Sequence, residues 1–195
     1  MKHPSNRELF KYWNELRGTR LAPDRSEIEP GAIRKVLGDT FVIEADGVGN
    51  LPFRIAGTRV CALFARELKG ESFVKLWQAS GQTSIRDLVT TVMEEKTGVV
   101  AQATGAATDR SVLAVNLEML LLPLAYGSRS DARVLGALAP MSALYWLGAK
   151  AIGPLSFGPF RHIGPAVDHV ATPRLAVVTA RLQHGLTVYT GGRAD

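Results

Sequence analysis

One cysteine, Cys61, serves all 195 residues. No internal disulfide can form, and thiolate clusters for structural zinc or iron–sulfur are excluded. That usage fits a reducing, cytoplasmic setting. Histidine is scarce as well: His3, His162, His169 and His184 are the whole set. No Lys/Arg run exceeds two residues, so the basic tract of a nucleic-acid binder is missing and no specific nucleic-acid partner is expected. No Gly-x-Gly-x-x-Gly or Gly-Lys-Ser/Thr follows a strand-like segment, which leaves nucleotide hydrolysis without its phosphate cradle. Met1 to Arg7 has no apolar segment behind it, so no secretory leader is expected. The longest charge-free run, Val134 to Ala149, is broken by Gly136, Pro140 and Gly148. It falls short of the ~20 apolar residues of a spanning helix and reads as a hydrophobic hairpin or interface.

What is present is globular. Hydrophobic residues make up 46% of the chain, enough to argue against wholesale disorder. Mean hydropathy is close to neutral. The net charge of +5 is uneven: residues 1–25 hold six Lys/Arg against three Asp/Glu, residues 26–150 thirteen of each, and residues 151–195 four against two. Basic ends around a neutral middle read as solvated tails, or as contacts for an acidic partner or lipid surface.

Asn6 to Arg17 has the spacing of an amphipathic helix, with Leu9, Trp13 and Leu16 at i, i+4 and i+7, Phe10 and Tyr12 beside them, and Gly18 as a stop. Ser26 and Glu29 have the spacing of a capping box, and a short helix is expected over Ile33–Leu37. Thr40–Ala45 and Leu51–Ile55 read as a hairpin turning at Asp46–Asn50. A helical connector over Gly57–Leu76 follows, with a further turn at Gly70. Ile85, Leu88, Val89, Val92 and Met93 mark a helix over Ser84–Lys96, ending at Gly98. Three strands then follow at Val99–Ala107, Ser111–Ala125 and Ala132–Leu144. The dipeptides Gly153-Pro154, Gly158-Pro159 and Gly164-Pro165 suggest loop. Arg174–Leu182 and Leu186–Thr190 suggest a closing hairpin.

Four stretches carry a family likeness: Tyr12-Trp13 with Leu16-Arg17-Gly18; Pro23, Arg25, Ile28 and Pro30; Phe53-Arg54 with Gly57-Thr58, Arg66-Glu67-Leu68 and Gly70; and Leu117-Glu118 with Pro123-Leu124. In order, they resemble a bacterial family of single-domain PAS-like proteins, mostly alphaproteobacterial, long catalogued as a domain of unknown function. The resemblance implies an α+β, PAS-like, five-stranded antiparallel sheet. Helical connectors between its second and third strands cover one face, an N-terminal amphipathic helix precedes it and a C-terminal extension follows. The division is residues 1–25 for the helix and linker, 26–146 for the PAS-like domain and 147–195 for the extension. One departure stands out. The family has Gly before Arg-Glu-Leu, whereas here it is Ala65, which argues against a left-handed turn there.

The resemblance implies a stand-alone sensory or regulatory protein that binds a small ligand or signalling partners, relays by protein contact and is not an enzyme. All four histidines lie outside the PAS-like core, which disfavours haem. The residues around Cys61 lack the polar pattern of a flavin photosensor, so a buried structural thiol is expected. His162, His169 and Asp168 are too loosely spaced for a metal site, and no metal is expected. Glu118 sits in an apolar strand. Facing the core it needs a partner, with Arg54, Arg59 and Arg66 the candidates; facing solvent it needs none. The hypothetical ligand set is Arg54, Arg59, Glu118, Phe73 and Trp77. Leu9, Phe10, Trp13 and Leu16 form the hypothetical partner or homodimer face of the first helix, which otherwise packs on its own sheet. The alternatives are a small α+β enzyme using Glu118 as acid/base and Arg54 to hold an anionic metabolite, or a membrane-surface adaptor using the basic ends and the Val134–Ala149 run.

Overall fold

The computed structural model describes residues 1–107, 114–125 and 132–164, together with the backbone of 181–183 and 186–188. Helix α1 (Pro4–Arg17) comes first. Strands β1 (Thr40–Glu44) and β2 (Phe53–Ala56) form the expected hairpin. Helices α2 (Thr58–Leu63) and α3 (Gln82–Glu95) occupy the connector. Strands β3 (Gly98–Gly105), β4 (Val115–Pro123), β5 (Arg133–Pro140) and β6 (Ser156–Ile163) complete one antiparallel sheet in the order β2-β1-β5-β4-β3-β6. Met1–Pro165 is one compact unit. In Ala166–Asp195, β7 (Arg181–Gln183) pairs antiparallel with β8 (Leu186–Val188), within the expected closing hairpin. The rest of that hairpin lies outside the described residues.

The sheet has six strands, not five. The Gly/Pro stretch read as loop supplies β6, which pairs with β3 and slips register where Gly158 and Pro159 stand opposite Gln102. An edge strand with a bulge tolerates proline, because the missing N–H faces no neighbour. The boundary drawn at residue 146 therefore falls inside the first compact unit.

Both faces of the sheet are buried at its central strands, β4 and β5. On the inner face, Phe41, Phe53, Leu117, Met119 and Val134 pack against Val60 and Leu63 of α2 and against Ile85, Leu88, Val89, Val92 and Met93 of α3. The apolar stripe read for α3 is thus wholly buried. The helix closes at Glu95 with Lys96 left-handed, and Gly98 opens β3. On the outer face, Leu9 and Trp13 of α1 meet Leu120, Leu122, Leu135 and Ala137, with Ile28, Ile33 and Val36 alongside. The Trp13 indole N–H donates to the Pro123 carbonyl at 2.8 Å. The first helix therefore lies on its own sheet. Leu9 and Trp13 are fully buried there and do not face a partner; Phe10 and Leu16 are half-buried.

Smaller differences have local causes. The capping box is Asp24 with Glu27, two residues before the expected pair, and it opens a single 3-10 turn. The expected helix at Ile33–Leu37 is a run of turns ending in a 3-10 turn at Leu37–Asp39. Val134–Ala139 of the charge-free run form the middle of β5, buried on both faces. Those side chains are core rather than an exposed apolar surface. Among the described residues no helix is long and apolar enough to cross a membrane.

Two glycines are required by close approach. At Gly57 an added Cβ would run into the Leu37 and Gly38 carbonyls, so only glycine lets α2 start against that turn. At Gly136 it would enter the ring of Phe41, which lies across β5. Ala65 keeps the left-handed turn that its side chain disfavours, with φ +49. Two substitutions should move stability in opposite directions in thermal denaturation. Gly136→Ala should cost about 1–3 kcal/mol by overpacking. Ala65→Gly should gain up to about 1 kcal/mol by relieving the left-handed Cβ.

Candidate functional site

The residues with chemistry gather on the outer face and at one end of the sheet. Along β4, Leu117, Met119 and Leu121 face the inner core, while Leu120 and Leu122 face α1. Alternation puts Glu118 on the outer face, where it is buried. Its carboxylate accepts from the backbone N–H of Lys2 at 2.7 Å and of His3 at 2.8 Å, and from the Asn6 side-chain amide at 3.0 Å. The His3 imidazole in turn caps α1 by accepting from the Ser5 N–H. Burial pushes the Glu118 carboxyl upward, but the His3 and Lys2 N–H groups and the Asn6 amide outweigh it and hold it below the usual carboxylate range.

A second contact holds the same helical turn. The Ser5 hydroxyl donates to Asp39 Oδ2 at 2.6 Å. Asp39 is buried and grips Arg59 of α2 through both oxygens, at 2.6 and 2.8 Å. Asp39 precedes β1 and Arg59 follows β2, so the hairpin brings them together. The chain Ser5–Asp39–Arg59 connects the outer-face helix to the inner-face helix.

Arg54 lies elsewhere. It pairs with Glu44 at 3.1 Å, and Glu44 also holds Arg133 at 3.3 Å, directly opposite it on β5. The structure does not bring Arg54 and Glu118 together, since β1 and β5 separate their strands, about 14 Å of sheet at the usual strand spacing. The partners expected for Glu118 were arginines, and the solvent-facing alternative needed none. The partners found are backbone and amide N–H groups of the first helix. Arg59 belongs to Asp39, and Arg66 is exposed beside a separate groove.

Phe73 and Trp77 are buried in a continuous aromatic row. Phe53, Phe41, Phe73, Trp77 and Phe157 follow one another with ring centroids 5.5–5.9 Å apart. The two residues fill the space between sheet and connector. The Trp77 indole N–H has no hydrogen-bond partner among the described residues. Cys61 is buried, and burial pushes its thiol pKa up, as suits an unreactive side chain. His162 lies on β6 edge-on to Phe160. Asp168, His169 and His184 lie outside the described residues.

Residues that sequence reasoning missed are Ser5, Asn6, Asp39, Glu44 and Arg133. Asn6 carried a readable signal, since it continues the stripe of Leu9 and Trp13 one turn earlier.

The model of the PAS domain family matches residues 1–139. This chain belongs to that family, and the sheet, the connector helices and the outer-face helix just described fall within the match, apart from the end of β5 and β6. No curated protein and no solved structure matches the chain.

The Glu118 contacts have a signed pH dependence. A carboxyl with a lowered folded pKa stabilises fully above its unfolded value of about 4.3, and that contribution is lost as pH falls through the folded value. Glu118→Gln should cost about 2 kcal/mol at neutral pH in urea denaturation. It should also flatten the acid limb of the stability profile. An unchanged acid limb in the variant would show that other groups set it.

Proposed function

We propose that this PAS protein is a regulatory module that binds a small ligand or a signalling partner and relays the event through α1 by protein contact. One observation carries the reading. The first turn of α1 is tied by hydrogen bonds to Glu118 on one side and, through Asp39, to Arg59 of α2 on the other. A shift in the connector helices reaches the opposite face of the sheet along that chain, without passing through the packed interior.

Magnitudes limit which part moves. Deleting a buried Leu or Trp costs roughly 2–5 kcal/mol, so Leu9 and Trp13 keep the middle of the helix seated. The first turn depends on polar contacts, each worth about 1–3 kcal/mol when charged. Such contacts suit a two-state element biased by a ligand of modest differential affinity. The exposed side of α1, with Phe10 and Leu16 half-buried at its margins, is the surface a partner or a second copy would read.

Two measurements on the full chain test this. Native mass spectrometry after mild purification reads bound mass and subunit number together. Hydrogen exchange of Asp39→Asn should show faster exchange in the first turn of α1, with the amides around Trp13 and in α3 unchanged. Loss of protection throughout α1 and the sheet would mean that Asp39 only supports the fold, and the relay would be discarded.

A further inference from the structure

A groove of 430 Å³ lies beside β2, where the Arg54–Glu44–Arg133 cluster forms part of its lining. Its charged lining is Arg25, Arg54, Lys69 and Arg133 around the single carboxylate of Glu44. Its floor is Val42, Pro52 and Ile55. Val42 and Ile55 face each other across β1 and β2, and Ile55 is 46% exposed.

The charges do not balance. Four cations surround one anion: Glu44 forms an ion pair with the Arg54 Nε at 3.1 Å and accepts a hydrogen bond from the Arg133 Nε at 3.3 Å. Neither Arg25 nor Lys69 makes an ion pair among the described residues. Guanidinium forks match the paired oxygens of phosphate. The volume lies within the range of small-molecule sites, about 300–1,000 Å³.

We infer that this groove binds a small phosphate monoester. Its dianion lies against Arg54 and Arg133, with Arg25 and Lys69 adding to the field, and its apolar body lies over Ile55. Glu44 acts as a built-in competitor. It holds the two guanidiniums in place while the groove is empty and gives up part of their charge to the ligand. This names the ligand class left open in the regulatory reading and rests on that reading only for what the ligand signals. The binding itself is tested without reference to α1.

The probe is phenyl phosphate, titrated into the full chain and followed by NMR of the backbone amides and the arginine Nε–H groups. Saturable shifts are expected at Arg54, Arg133 and Ile55. Arg54→Gln should weaken binding roughly tenfold or more, the loss of one charged hydrogen-bonding group. Glu44→Gln should tighten it, a gain that a damaged fold could not produce. Arg34→Gln, which removes an exposed cation outside the groove, should leave it unchanged. Inorganic phosphate should bind more weakly than phenyl phosphate. Absence of saturable shifts overturns the assignment. So does an equal loss in Arg34→Gln and Arg54→Gln, which would mean unspecific attraction, or an equal affinity for inorganic phosphate, which would remove the apolar contact.

Discussion

A carboxylate buried in the middle of a sheet must be answered by donors, and in this protein the donors belong to the start of α1. An ionised group without partners would cost several kcal/mol at the position of Glu118. The contacts from Lys2, His3 and Asn6 remove that cost only when the first helical turn lies over β4. Apolar packing at Leu9 and Trp13 holds the helix against the sheet but would tolerate some sliding or rotation. The polar contacts select one register. Helix placement, coverage of the outer face and the link to α2 all follow from that register.

Coverage of one part of the outer face determines what remains open. α1 lies over β4 and β5 and leaves the β1–β2 end uncovered, where the sheet carries its row of Arg133, Glu44 and Arg54. The inner face is filled instead, by aromatic rings in mutual contact and by the helices above them. Chemistry and packing are thus divided between the two sides of one sheet.

The parts of this arrangement that depend on side-chain periodicity were legible in the sequence. The stripe of α3, the amphipathic α1, the first hairpin and the succession of the first five strands along the chain follow from apolar spacing and turn residues, whereas their antiparallel arrangement in one sheet was implied by the family likeness. The parts that depend on backbone groups were not. Nothing in the sequence marks the N–H of Lys2 or His3 as the partner of Glu118, so an arginine looked like the natural choice. β6 was hidden for a similar reason. Gly158-Pro159 has the composition of a turn, and only an edge position makes it acceptable in a strand. Ala65 was misread because composition speaks to preference, whereas the packed hairpin and α2 override it.

The sixth strand also alters where the domain should be said to stop. Similarity to the family ends at residue 139, yet β3 is completed only by residues 156–163, and Phe157 extends the aromatic row of the interior. A chain cut at the limit of family likeness would bare a long row of unpaired amides and carbonyls on β3, a template for intermolecular pairing and aggregation. The stretch matched by the family and the stretch that completes the sheet therefore have different ends, and the segment beyond the first shields the open edge of the second.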